Sequence, residues 1–183
     1  MGYRKVDTFL SDLILLEPEV FEDERGSFFE SFQEQHFYQV TGVNARFVQD
    51  NQTLSREGVL RGLHYQVVRP QGKLVRVVHG RVLDVTVDLR RHSPTLGQWV
   101  AVELSAANRH QLWIPPGFAH GFLTLSSESV FCYKVTDYWF AQHERSIAWN
   151  DPRLGIDWPL REPPLLSHKD AVALGFEWAE LFD

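Results

Sequence analysis

The chain has almost no cysteine. Cys132 stands alone, so no intrachain disulfide can form and no secreted disulfide scaffold supports the fold. Long apolar runs are also missing. The N-terminal stretch MGYRKVDTFLSDLILLEPEV holds a short apolar run, Leu13–Leu16, ended by Glu17 and Pro18. That run is too short for a signal peptide or a membrane span, so the expectation is a soluble cytoplasmic protein without membrane contact. A basic surplus is absent: 18 Lys and Arg stand against 24 Asp and Glu, a net charge of −6. Non-specific nucleic-acid binding needs the opposite balance, although a local basic pocket stays compatible with it. No G-x-G-x-x-G occurs, which removes the dinucleotide fingerprint. Low-complexity linkers and long repeats are lacking as well.

What is present points to a packed, strand-rich domain. With 183 residues, 44% hydrophobic and 13% aromatic, the chain can bury a sizeable core, and it reads as one domain over 1–183. KLVRVVHGRVLDVTVDL, 73–89, predicts two strands joined at His79-Gly80. In the second, Leu83, Val85, Val87 and Leu89 alternate with Val82, Asp84, Thr86 and Asp88, the pattern of a half-buried strand. Further strands are predicted at 98–104, 110–115, 120–126 and 130–139. Strands this closely spaced predict a sandwich or barrel. Helices are predicted only at 33–40 and in the C-terminal KDAVALGFEWAELF.

In a small barrel the inward ionisable side chains are the candidate site. VLRGLHYQ carries Arg61 and His64 in one strand, and strict alternation puts them on opposite faces. A glycine inside a strand often marks a bulge that shifts the register by one, so Gly62 offers a way for both to face one cavity. A single strand histidine is more often packed than functional. His64, however, shares its neighbourhood with Arg61 and with Lys73 at the head of the next strand.

WIPPGFAHGF makes a tight turn before His120, and P-x-G-x-x-H of this kind resembles half of the cupin signature. A His-x-His with a downstream Glu would complete it. Here LHYQ supplies His64 but puts Gln66 where the second histidine would stand. One imidazole from each motif, with no carboxylate, is a poor transition-metal site, so the barrel reads as metal-free. Tyr133 and Tyr138, in FCYKVTDYW, would ordinarily be packing residues; a tyrosine facing a wet cavity can instead serve as a general acid. Asp170 would ordinarily cap the C-terminal helix. Its other possible task is to accept a hydrogen bond from His64 and raise its basicity.

Taken in order, EDERGSFFESF, FVQDNQ, GVLRGLHYQ, QGKLVRVVHGRVLDVTVDLRRHSPTLGQW, WIPPGFAHGF, YKVTDYW and WNDPRLGIDWPL resemble the dTDP-4-dehydrorhamnose 3,5-epimerase family over about residues 3–175. The resemblance implies an all-β, cupin-type jelly roll with a few short helices. It implies no metal or other cofactor, and a homodimer that exchanges N-terminal strands. The implied substrate is a nucleotide sugar with a C4 ketone. On this pattern His64 is the base, paired with Asp170, Tyr133 is the acid on the opposite face, and Lys73 stabilises the enolate oxygen. Arg61, Gln49, Asn51, His120, Glu144 and Lys169 fall where family members touch substrate. Arg25, Phe28 and Glu30 match residues that hold the nucleotide. Tyr138 joins the binding residues and is the next candidate for the acid. A C3-only epimerase of another deoxysugar pathway is the rival with the same His and Tyr. More distant rivals are a metal-dependent cupin and a non-catalytic sugar-binding barrel.

Overall fold

A computed structural model describes every residue except Met1, Asp7 and Ser11. The strands are β1 (Tyr3–Val6), β2 (Ile14–Pro18), β3 (Phe21–Asp23) and β4 (Gly26–Phe28), followed by helix α1 (Glu34–Thr41). Then come β5 (Gln49–Arg56), β6 (Leu60–Gln66), β7 (Lys73–His79), β8 (Arg81–Asp88), β9 (Trp99–Ser105), β10 (Gln111–Ile114), β11 (Phe118–Thr124), β12 (Glu128–Val135) and β13 (Glu144–Ser146). Helix α2 (His168–Ala171) lies near the C-terminus.

Two antiparallel sheets face each other as a jelly roll. One runs β1-β2-β10-β7-β12-β5, the other β13-β6-β11-β8-β9, and β3 and β4 pair separately as a hairpin. The layers follow from period-two side-chain placement. Val75, Val77, Leu112, Ile114 and Phe131 of the first sheet meet Val82, Val100, Leu104, Phe118 and Phe122 of the second to form the inner core. Each such side chain contributes about 1.5–3 kcal/mol when fully buried.

Both sheets also bury their outer faces. α1 covers the six-stranded sheet. Its N-terminus is closed by the Gln33 side chain, which accepts from His36 N at 2.6 Å. Its end is closed by Gly42, at φ 72°, whose N–H donates to Tyr38 O. The helix drives Phe37 against Phe47 and Trp113, at ring separations of 5.7 and 5.5 Å. The five-stranded sheet is covered by the chain after β13, where Ile147, Leu154 and Trp158 pack on Leu63, Tyr65, Val85 and Val87.

Two local expectations are corrected. The C-terminal stretch is not one helix. It contains the single turn α2 and a 3₁₀ turn at Phe176–Trp178, and otherwise runs extended. Gly175 interrupts the helical pattern, and Phe176, Leu181 and Phe182 pack against the five-stranded sheet instead of sharing one helical face. β8 is not half-buried. Val85 and Val87 face the outer core, while Asp84 and Thr86 point inward and are fully buried. Its polar stripe faces the molecule's interior, not solvent.

Candidate active site

Gly62 has the role its position suggested. In the β6–β11 ladder His64 pairs with His120 and Arg61 with Phe122, so Gly62 and Leu63 together oppose Gly121. This two-against-one count is a bulge. It sends both Arg61 and His64 into the space between the sheets and leaves Leu60, Leu63 and Tyr65 for the outer core. Gly62 sits at φ 130°, and a Cβ there would lie 2.5 Å from Gly121 Cα. No other residue fits.

The resulting cavity has a volume of about 250 Å³, with Arg61, His64, Lys73, His120, Tyr133, Glu144, Lys169 and Asp170 in its wall. His64 Nε2 and Asp170 Oδ1 are 2.5 Å apart, although 106 positions separate them in the chain. Leu60 N donates to Leu165 O, which draws the C-terminal segment along β6 and sets α2 beside His64. The cap of α2 is Ser167, whose hydroxyl accepts from Asp170 N at 3.3 Å. Asp170 is therefore inside the helical turn, not its cap, and its carboxylate is free to turn to the imidazole. Burial alone would raise the Asp170 pKa; the hydrogen bond and charge of His64 more than offset this and hold it below the usual carboxylate value. An ionised carboxylate at Nε2 accepts a hydrogen bond from Nε2–H, which fixes the tautomer and leaves Nδ1 with the basic lone pair.

Lys73 opens β7, and burial lowers its pKa to about 8, with Asp84 and Glu144 opposing the shift. Tyr133, on β12, is pushed above its ordinary value by burial and by Glu144, so its phenol stays protonated at neutral pH. Glu144 in turn pairs with Lys169 at 2.8 Å. Arg61 donates to Ser55 Oγ at 3.0 Å, which anchors its guanidinium at the wall.

His120 brings in a residue not singled out as a site candidate from sequence. Its Nε2 meets Asp84 Oδ2 at 2.8 Å, and Asp84 Oδ1 has no hydrogen-bond partner among the described residues. Burial lowers the His120 pKa despite this carboxylate. The available signal was an aspartate within the apolar alternation of β8, at an even position that looked solvent-facing.

The remaining candidates lie outside the cavity wall. On β5, Gln49 donates to Asn51 Oδ1 at 2.9 Å and accepts from Trp139 N at 3.1 Å. Tyr138 follows β12 and is 54% exposed. Arg25 is on the exposed β3–β4 hairpin, paired with Asp23, and Phe28 is exposed beside it. Glu30 bonds His36 Nδ1 at 2.7 Å. Among the described residues no group of three or more His, Cys, Asp or Glu is placed to hold a metal ion, and no helix is long and apolar enough to cross a membrane.

Comparison with known proteins follows the same lines. Residues 7–177 match the family model described as dTDP-4-dehydrorhamnose 3,5-epimerase. A protein of that name from Pseudomonas aeruginosa is 57% identical over 173 residues, 94% of this chain and 96% of its own length. A crystal structure of dTDP-6-deoxy-D-glucose-3,5-epimerase from Legionella pneumophila, in complex with dTDP-4-keto-L-rhamnose, superposes with a TM-score of 0.95. It is 50% identical and covers 98% of this chain and 95% of its own. A 3'-monoepimerase from Streptomyces bikiniensis, in complex with dTDP-quinovose, is more distant: TM-score 0.87, 33% identity, covering 96% of this chain and 87% of its own. The chain belongs to the dTDP-4-dehydrorhamnose 3,5-epimerase family.

Proposed function

We propose that this protein inverts C3 and C5 of dTDP-4-keto-6-deoxy-D-glucose, giving dTDP-4-keto-L-rhamnose. The observation that carries this reading is the His64–Asp170 pair at 2.5 Å, in one cavity with a buried lysine and a protonated tyrosine.

The chemistry follows from the C4 ketone. It acidifies the protons on C3 and C5, and His64 removes one of them. Asp170 stabilises the imidazolium that forms. A neutral imidazole is a weak base for a C–H bond, so the enolate oxygen needs charge already in position; the Lys73 ammonium supplies it. Tyr133 returns a proton to the opposite face of the same carbon, and the configuration inverts. No electrons leave the substrate, so no redox cofactor is needed, and the residues that carry the steps need no metal.

The nucleotide half of the substrate is assigned to Arg25, Phe28 and Glu30, with Gln49, Asn51, Arg61, His120, Tyr138, Glu144 and Lys169 completing the binding set. The β3–β4 hairpin leaves Phe21 and Phe28 exposed, at 43% and 59%. Exposed aromatics on a short separate hairpin suit an arm exchanged between two copies in a homodimer. A nucleotide-sugar enzyme of this kind would work in the cytoplasm.

Turnover in heavy water tests the reaction directly. Deuterium at both C3 and C5 of the product is the expected result. Label at C3 alone would make the protein a C3 epimerase, as the Streptomyces relative is by name. Absence of label at both carbons would remove the enolate mechanism.

A further inference from the structure

Gln66 stands where a metal-binding barrel would carry its second histidine, and the reaction above gives it no role. It is 4% exposed, and its amide is almost fully used. Nε2 donates to Arg69 O at 2.5 Å and to Tyr138 O at 3.1 Å. Oε1 accepts from Phe140 N at 2.8 Å. One side chain thus fastens two loops: the one leaving β6 and the one leaving β12. Only a primary amide of this length does so. Imidazole cannot offer two N–H groups and an acceptor together, and a carboxylate would face two carbonyl oxygens.

These loops form a lip just outside the cavity wall. Gln66 pairs with the wall residue Glu144, and Val135, just before the second loop, pairs with Lys73. Gln66 also lies two positions beyond His64 on the same face of β6. Other ties are more exposed. Arg69 makes two hydrogen bonds to Asp137, at 2.9 and 2.6 Å, and lies over the Phe140 ring at 4.6 Å. Exposed ion pairs contribute little on their own. Gln71 Nε2 donates to Asp137 O at 2.8 Å and Trp139 N to Gln49 Oε1 at 3.1 Å, one bond each, whereas the buried Gln66 amide makes three and joins both loops. Above this pinned backbone the rings of Tyr138 and Trp139 stand half in solvent, 54% and 53% exposed.

We infer that Gln66 is a positioning residue: it locks the 137–140 lip to the strand that carries the base and so preorganises Tyr138 for the nucleotide sugar. This rests on the substrate reading above. Preorganisation lowers the entropy lost on binding, so its removal should appear in affinity, not in the chemical step.

The test uses Gln66→Leu, which keeps the size and removes all three bonds, with Tyr138→Ala singly and in combination. Folding is checked by thermal melting. We expect Gln66→Leu to raise KM for dTDP-4-keto-6-deoxyglucose and Kd for dTDP roughly tenfold, with kcat little changed. In the Tyr138→Ala background it should add almost nothing. Amide hydrogen exchange at Phe140 should accelerate whether or not ligand is present. If Gln66→Leu does not fold, Gln66→Glu keeps the acceptor, loses both donors and should give the same split. A folded variant with wild-type KM, additive effects in the double variant, or unchanged exchange at Phe140 would each overturn the inference. If wild-type protein neither binds dTDP nor turns over the sugar, the substrate assignment falls, and the exchange measurement still decides the clamp.

Discussion

The cavity and the β3–β4 hairpin are opposite kinds of region. Cavity side chains are held by the chain itself: His64 by Asp170, His120 by Asp84, Lys169 by Glu144. The hairpin is exposed throughout; Arg25 pairs with its neighbour Asp23, and Arg109 reaches Ser27 and Glu22 from outside. The first region has His120, Asp84 and Asp170 buried, and burial strengthens electrostatics. The other has groups suited to a phosphate and a flat base, but no wall of its own to place them against. The comparison teaches that paired, buried charge is assembled within one chain, whereas the hairpin leaves its charged and aromatic groups open to solvent. Three experiments would break or sharpen that division.

The largest effect is expected from the cavity. His64→Ala should lower kcat by about 10³-fold or more, near the upper end of general-base effects, with exchange lost at both carbons. Affinity for dTDP should stay close to wild type. Calorimetric titration with dTDP beside a turnover assay checks both, and near-normal turnover would remove the base assignment.

The next effect is electrostatic. The Lys73 ammonium is charged below its pKa of about 8 and neutral above it. On the proposed mechanism, enolate stabilisation is therefore present on the acid side and lost as pH rises through 8. The kcat/KM profile should bend near pH 8 and fall roughly tenfold per unit beyond it. Lys73→Arg, with its permanent charge, should lack that bend whatever its absolute rate. A wild-type profile that stays flat to pH 10 would take the role from Lys73.

The smallest effect belongs to the hairpin. Arg25→Ala removes the guanidinium proposed to hold the diphosphate, so KM should rise about tenfold while kcat holds. Steady-state kinetics separate the two constants. A fall in kcat equal to the rise in KM would mean that the hairpin also shapes the chemical step and that the two regions are not separable.

Much of this was legible in the residues themselves. Alternation and turn residues marked β7 to β12 to within a few positions, because strand periodicity and Gly-Pro punctuation are local properties. Gly62 could be read as a bulge because its neighbours Arg61 and His64 made no sense without one. The helix at 34–41 carries its own stop at Gly42. The ordered motifs also identified the family, whose model matches residues 7–177.

Other features are decided only when distant segments meet. Nothing local to Asp170 distinguishes a helix cap from a partner of His64. The choice is made by the C-terminal segment running beside β6 and by Ser167 taking the cap. That segment has a helical composition yet lies extended, because burying its apolar residues on the five-stranded sheet outweighs a weak local propensity. Asp84 looked solvent-facing because alternation reports which residues share a face, not what that face meets. Gln66 read as a missing ligand until two loops closed on its amide. The sequence by itself determined strands β6 to β12, the bulge and the family. The tertiary structure decided which charges are paired and which are buried, because pairing and desolvation depend on distances in space that no local pattern encodes.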